Sequence, residues 1–299
     1  MTTRILALAG HKQSGKSTTC NFLHGYQLRA HHVIDGFAIT QDGNLVIDTA
    51  LIDSEGKEEK SQAILDTSRN DMEFAEWAAY SMWPYIKRYS FAGTLKEIVT
   101  GIFEIKPEQV YGSDIEKNSK TWFSWDDMPG VITNYNLAKK PEIKKLINDG
   151  TLKYHKPGKM SAREFLQFFG TDVCRKIYED VWQARLMADI AREGSLLAVV
   201  DDCRFPNEVQ AIQDAGGHVI QLTRSNHKDV HASECALDTY EEFDAIIDNQ
   251  NMTIHDTNVE IIRILDEWGW LGKELPETLP AQETEPTLVG GIHKFKEDS

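Results

Sequence analysis

Apolar positions fall in two rhythms along the chain. Ile5-Leu6-Ala7-Leu8-Ala9 and Leu196-Leu197-Ala198-Val199-Val200 are short unbroken apolar runs, with Val219-Ile220-Gln221-Leu222 and Ala245-Ile246-Ile247 as shorter ones. Runs of this length predict strands buried on both faces. Between them the spacing turns helical: Cys20, Phe22, Leu23 and Tyr26 within residues 18–28, and Leu95, Ile98, Val99, Ile102 and Phe103 at i, i+3, i+4, i+7 and i+8. Residues 182–192, a segment opened by Pro206 and ended by Gly216-Gly217, and Val259, Ile262, Leu265 and Trp268 within residues 258–268 follow the same period. Strands alternating with helices predict an open parallel sheet with right-handed crossovers, its ligand held at the carboxyl ends of the strands.

The segments between these elements are less regular. Asp42-Gly43 separates Phe37-Ala38-Ile39 from Leu45-Val46-Ile47, which predicts a hairpin within residues 33–49. A polar stretch over 53–68 and a helix near 72–82 follow, and residues 30–86 read as an insertion decorating the core. Tyr89-Ser90-Phe91 is a short strand candidate. Residues 112–160 look irregular, with Trp122, Phe123, Trp125, Met128 and Pro129 grouped as a small satellite core or a base-stacking surface, before a lysine-rich helix near 141–148. Ser161 and Glu164 form a capping box opening a helix that carries Phe165, Leu166, Phe168 and Phe169, and Gly170-Thr171-Asp172 is expected to end it. Arg163 sits in that helix's first turn, where a cation opposes the helix dipole, and this marks it as an anion-site candidate.

Bulk properties narrow the class. The 299 residues are 41% hydrophobic and 26% charged, ordinary for a globular protein. A formal net charge of −15 disfavours non-specific binding to nucleic acid or anionic membrane, so neither a membrane nor stable nucleic-acid binding is expected. The four cysteines form no C-x-x-C pair, which suggests reduced thiols in a cytoplasm. No targeting segment or membrane-spanning run is evident. From residue 272 onward the chain is rich in Glu, Pro and Thr and is expected to be a flexible tail.

The most pointed chemistry lies at residues 10–17, Gly10-His11-Lys12-Gln13-Ser14-Gly15-Lys16-Ser17. Strand, glycine-bounded loop, then helix is the context of the G-x-x-x-x-G-K-[ST] phosphate loop. By average residue frequencies, a chance match in this length has odds on the order of one in a hundred. Loop N–H groups and the helix start would meet phosphate oxygens, Lys16 the β- and γ-phosphates, and Ser17 a Mg²⁺ ion. Further on, Asp201-Asp202-Cys203-Arg204 tips an apolar strand, where phosphate-loop proteins hold a second metal contact. No histidine has metal-ligand spacing; His227 and His231 lie in a polar stretch.

Several stretches together resemble the deoxynucleoside monophosphate kinases of tailed bacteriophages: residues 10–17, Phe91-Ala92-Gly93-Thr94-Leu95-Lys96, residues 166–172 and residues 200–208, with His231-Ala232-Ser233-Glu234 and Ile247-Asp248-Asn249 similar too. The resemblance implies a three-layer α/β/α P-loop kinase fold over 1–271, with a central parallel sheet, an inserted hairpin and helix region at about 30–86, an acceptor-side region at about 104–160 and a lid at about 224–238. It also implies transfer of the γ-phosphate of ATP, with Mg²⁺, to a deoxynucleoside monophosphate. Carried over, Gly10, Gln13, Ser14, Gly15, Lys16, Ser17 and Thr18 cradle the donor phosphates, and Asn249 lies where an adenine loop would pass. Ser17 and Asp202 would hold Mg²⁺, Asp202 being preferred over Asp201 for its D-x-R spacing to Arg204. Lys96, Arg163 and Arg204 would hold the acceptor phosphate, Gln167 and Asp172 the acceptor nucleoside, and Arg224 would act as a lid arginine. Lys16, Arg163, Arg204 and Arg224 are then the catalytic set.

Small-molecule nucleotides are the expected partners, a homodimer is allowed, and the expected location is cytoplasmic, in a host cell if the chain is phage-encoded. Two rivals stand beside this reading: a kinase acting on a modified base within phage DNA, and a nucleotide-binding interaction module without turnover.

Overall fold

The computed structural model describes residues 3–52, 58–69, 71–225 and 236–271. Contacts divide the chain into two compact units, Met1–Phe91 with Leu186–Ser299, and Ala92–Arg185.

The first unit is built on five parallel strands in the order Ala245–Ile247, His218–Leu222, Arg4–Ala9, Leu197–Cys203, Ile86–Tyr89. The first strand of the sequence is therefore the central strand of the sheet. Leu6, Ala7, Leu8 and Ala9 are fully buried, as are Ala198, Val199 and Val200 beside them, which is why these runs read as continuously apolar. Leu6 and Leu8 pack with Phe22 and Leu23 of the helix Lys16–Ala30 and with Ile261 and Leu265 of the helix Ile254–Glu267. Val209 and Ile212 of the helix Pro206–Asp214 are also fully buried, and Gly217 sits against Ile5 and Ile212. Helices thus cover the sheet, and each buried Leu or Ile contributes roughly 1.5–3 kcal/mol. The expected α/β fold with a central parallel sheet is borne out.

The segment 30–86 is less peripheral than its polarity suggests. Phe37–Ile39, Leu45–Ile52 and Glu58–Ile64 form an antiparallel three-stranded sheet, with the hairpin register Phe37↔Ile47, Ala38↔Val46, Ile39↔Leu45. The third strand was not evident in the sequence, because its residues Lys60 to Ile64 alternate only between exposed and half-buried positions. Phe37, Ile39, Leu45 and Ile47 join Leu65, Phe74, Ala78 and Met82 in the same apolar cluster as Leu6 and Leu8. Asn21, one turn into the first helix, donates to the Gly43 carbonyl at 2.9 Å and accepts from Thr67 at 3.1 Å. This region completes the core against the phosphate-loop helix rather than decorating it.

The second unit carries short elements. The capping box at Ser161 and Glu164 is present, and it opens the helix Ala162–Gln167. That helix does not stop at Gly170. Residues Phe168–Cys174 continue it as a widened π turn, and Arg175–Ile177 resumes the α geometry. Trp182 Nε1 donates to the Gly170 carbonyl at 3.2 Å, and a Cβ on Gly170 would lie 2.7 Å from Leu95. The predicted break is thus a bulge that lets the helix Gly93–Gly101 approach. On that helix Leu95 and Val99 are buried while Ile102 is 71% exposed, so Ile102 falls off the predicted apolar stripe, which Phe103 continues just past the helix end. Trp122, Phe123, Phe165 and Phe169 stack in succession around Phe103, with Trp122 itself 62% exposed. Among the described residues no helix is long and apolar enough to cross a membrane. Most of the lid stretch, residues 226–235 with His231 and Glu234, and the tail 272–299 lie outside the described residues.

Candidate phosphate and nucleotide site

The loop between Ala9 and Lys16 begins at the carboxyl end of the central strand, where strand connections run to either side. Gly10 has φ 136°, and a Cβ there would sit 2.4 Å from the Leu222 carbonyl oxygen and 2.7 Å from Ser14 Oγ. Only glycine fits. Gly15 caps the helix in the left-handed region at φ 106°. Gln13 holds φ 63° without being glycine, a conformation worth roughly 1–3 kcal/mol of strain and one that concentrates at ligand sites. Asn249 braces the loop from the far strand: it is buried, and its Nδ2 donates to the Ser14 carbonyl at 2.8 Å.

Lys16 is buried, its Nζ donating to the carbonyls of Gly10 at 2.6 Å and His11 at 2.7 Å. Burial, helped by the like charge of Arg204, lowers its pKa from 10.5 to about 8, with Asp201 and Asp202 partly opposing. A lysine whose folded pKa is depressed carries a penalty that is fully present below about pH 8 and fades as pH rises toward 10.5. Melting measured from pH 7 to 10 should accordingly show wild type gaining stability relative to Lys16→Ala as pH rises. A constant or widening deficit contradicts this burial. The first helix also buries Cys20 and His24, whose pKa values burial moves to about 12 and about 4, so both are neutral.

The carboxylate facing Ser17 is Asp201. Ser17 Oγ donates to Asp201 Oδ2 at 3.3 Å. Asp202, favoured by the D-x-R spacing, turns away to accept from Ser90 Oγ at 2.6 Å and the Phe91 amide at 2.8 Å. The reason is a register shift: Ala7 aligns with Val200, but Ala9 aligns with Cys203. An extra residue on the Asp201-Asp202 strand re-aims both side chains. Arg88, which the sequence reading passed over, donates to Asp201 from the neighbouring strand.

Arg224, the expected lid arginine, is held by the main chain of the Asn249 loop. Its Nε and Nη2 donate to the Asn249 carbonyl at 3.1 and 2.8 Å, and Nη2 donates to the Met252 carbonyl at 2.6 Å. Three contacts to main-chain carbonyls fix the guanidinium against the Asn249 loop. Asn249 in turn accepts from the Arg224 amide at 2.8 Å. Arg204 is anchored through its amide to Glu208 at 2.8 Å. His11, inside the loop, pairs with Asp238 at 2.9 Å. Gly10, Gln13, Ser14, Gly15, Lys16, Ser17, Thr18, Asp202, Arg204, Arg224 and Asn249 thus all belong to the first unit.

Lys96, Arg163, Gln167 and Asp172 belong to the second unit. Arg163 pairs with Asp114 at 2.7 Å, so a carboxylate answers the cation that opposes the helix dipole. Asp172 pairs with Lys153 at 2.7 Å, and Lys96 lies over the Tyr111 ring at 5.4 Å.

Among the described residues no cluster of three or more His, Cys, Asp or Glu side chains has metal-binding geometry. A hydroxyl and a carboxylate sharing one oxygen contact do fit a hard cation that keeps its waters and takes its other ligands from phosphate. The glycine cradle at Gly10 fits a phosphate brought close to the backbone.

A central parallel sheet flanked by helices, with a glycine-bounded loop and a buried lysine at the end of its middle strand, is consistent with the P-loop kinase fold. The sequence model of the family described as deoxynucleotide monophosphate kinase matches residues 113–259. A protein of Acanthamoeba polyphaga mimivirus, named provisionally as a deoxynucleotide monophosphate kinase, is 24% identical over 196 residues, 59% of this chain and 81% of that protein. The deoxynucleoside-5'-monophosphate kinase of Escherichia phage T5 is 26% identical over 151 residues, 43% of this chain and 59% of that protein. The expected resemblance to this family is borne out.

Proposed function

We propose that the chain is a nucleotide kinase that transfers the γ-phosphate of ATP to a deoxynucleoside monophosphate, giving ADP and the diphosphate. The observation that carries this reading is the loop itself: a glycine cradle, a buried Lys16, and Ser17 beside Asp201 at the end of the central strand. The names of the viral relatives support the acceptor class. The loop amides and Lys16 bind the donor's β- and γ-phosphates, with Lys16 leaving the Gly10 and His11 carbonyls to do so. Ser17 and Asp201 hold Mg²⁺, which when bound offsets charge on the triphosphate. Asn249 fixes the loop so that its N–H groups keep their aim. Arg204 lends positive charge close to Lys16, and Lys96, Arg163, Gln167 and Asp172 are the residues proposed to hold the acceptor. In the transfer, an acceptor phosphate oxygen bonds to the γ-phosphorus as its bond to the β,γ-bridging oxygen breaks. Positioning and charge neutralisation supply most of the catalysis. The proposed setting is the cytoplasm, that of the host if the chain is phage-encoded.

The test is a screen of natural and modified deoxynucleoside monophosphates with ATP and Mg²⁺, following ADP formation, beside a parallel arm with modified-base DNA. ADP formation that depends on one or more free monophosphates is the expected result. Turnover only with DNA, or ATP binding with no acceptor-dependent turnover, overturns it.

A further inference from the structure

Arg88 is the last residue but one of the strand Ile86–Tyr89, aligned with Val199, two residues before Asp201. Its guanidinium donates to Asp201 Oδ2, the same oxygen that accepts from Ser17 Oγ, and its Nη2 lies 3.5 Å from Ser17 Oγ. The Asp201 side chain is 6% exposed and that of Arg88 23%. A carboxylate this buried needs a positive partner at all times. The guanidinium stands on the edge of the hydroxyl–carboxylate pair that a divalent cation would use.

We propose that Arg88 is a positioning residue that serves as the resident cation of this pair, holding Asp201 aimed at Ser17 and barring a bare divalent cation until a nucleotide triphosphate arrives. The inference rests on reading Ser17 and Asp201 as the metal-holding pair. The charge balance explains the order of events. Arg88 sets its full positive charge on the Asp201 oxygen that faces Ser17, and the Lys16 ammonium lies within electrostatic reach of the same carboxylate. A dication added alone must displace or crowd the Arg88 guanidinium on Asp201, whereas one carried by a triphosphate comes with phosphate oxygens that can take the guanidinium in exchange. Arg88 is then free to swing from Asp201 toward phosphate oxygen, a group that guanidinium matches well.

The experiment uses Mn²⁺ with the full chain and no nucleotide, reading bound Mn²⁺ from the loss of the free-ion electron paramagnetic resonance signal. Wild type should bind Mn²⁺ weakly alone and more tightly with ATP. Arg88→Gln should tighten nucleotide-free Mn²⁺ binding by at least about tenfold, Arg88→Lys should restore exclusion, and Arg88→Gln combined with Asp201→Asn should lose the gain. Tight nucleotide-free binding by wild type overturns the proposal, as does a folded Arg88→Gln protein that binds Mn²⁺ no better than wild type. If Arg88→Gln does not fold, wild type and Arg88→Lys decide: exclusion by both supports the proposal, and tight nucleotide-free binding by either overturns it. The nucleotide-free arm contains no acceptor, so a gain of Mn²⁺ binding in Arg88→Gln stands even where no monophosphate is phosphorylated, and the two readings fail separately.

Discussion

Lys16→Ala is expected to reduce acceptor-dependent ADP formation by at least about a thousandfold, the equivalent of about 4 kcal/mol of transition-state stabilisation. In the proposed reaction the ammonium is the buried side-chain charge at the loop that follows the γ-phosphate as it is transferred. Its Nζ donates to the Gly10 and His11 carbonyls, which hold the ammonium at the mouth of the loop. The same substitution should leave the fold standing. It removes a buried charge whose desolvation already depresses its pKa to about 8, and Gly10 and His11, whose carbonyls are left behind, are only half-buried. The decisive pairing is therefore activity with a thermal melt: lost turnover in a protein melting within a few degrees of wild type. Turnover within tenfold of wild type would remove Lys16 from the phosphate site. Lys16→Arg should fail as well, since the pocket is closed by Ser14, which is fully buried, and by the loop carbonyls.

The sheet and the phosphate loop were legible in the sequence for a local reason. Continuous apolar runs have few alternatives to a doubly covered strand, and the loop's glycines answer backbone angles that other residues resist. The Asp42-Gly43 hairpin was legible in the same way. What escaped depends on long-range partners. The strand Glu58–Ile64 is an edge strand whose polar residues pair only because Leu45–Ile52 is already anchored through Leu45 and Ile47. Arg224 resembles a lid arginine by position, and its contacts with the carbonyls of Asn249 and Met252, from a loop 25 residues away, carry no local signal. Arg88 carried no motif at all. Its meaning lies in the strand beside it, since Asp201 comes from a segment more than a hundred residues later.

The exchange of Asp202 for Asp201 gives the second large effect. Spacing to Arg204 favours Asp202, but spacing assumes an unbroken strand, and the register slips by one residue between Ala7 and Ala9. Asp201→Asn should lower kcat by about a hundredfold or more and raise the Mg²⁺ concentration needed for half-maximal rate, because a neutral amide is a poor ligand for a hard cation. It should also destabilise the protein by about 3 kcal/mol, since Arg88 is left half-buried without its carboxylate. Asp202→Asn should keep the Mg²⁺ dependence and lose under about tenfold in rate. Its carboxylate serves the Ser90 hydroxyl and the Phe91 amide, and an asparagine oxygen still satisfies one of the two, at a stability cost of about 1–2 kcal/mol. The Mg²⁺ titration separates the roles, because the structural loss at Asp202 moves the melting temperature without moving the metal requirement. If Asp202→Asn shifts the Mg²⁺ requirement and Asp201→Asn does not, the metal ligand is the one the spacing indicates. The bulge would then have to straighten when nucleotide binds.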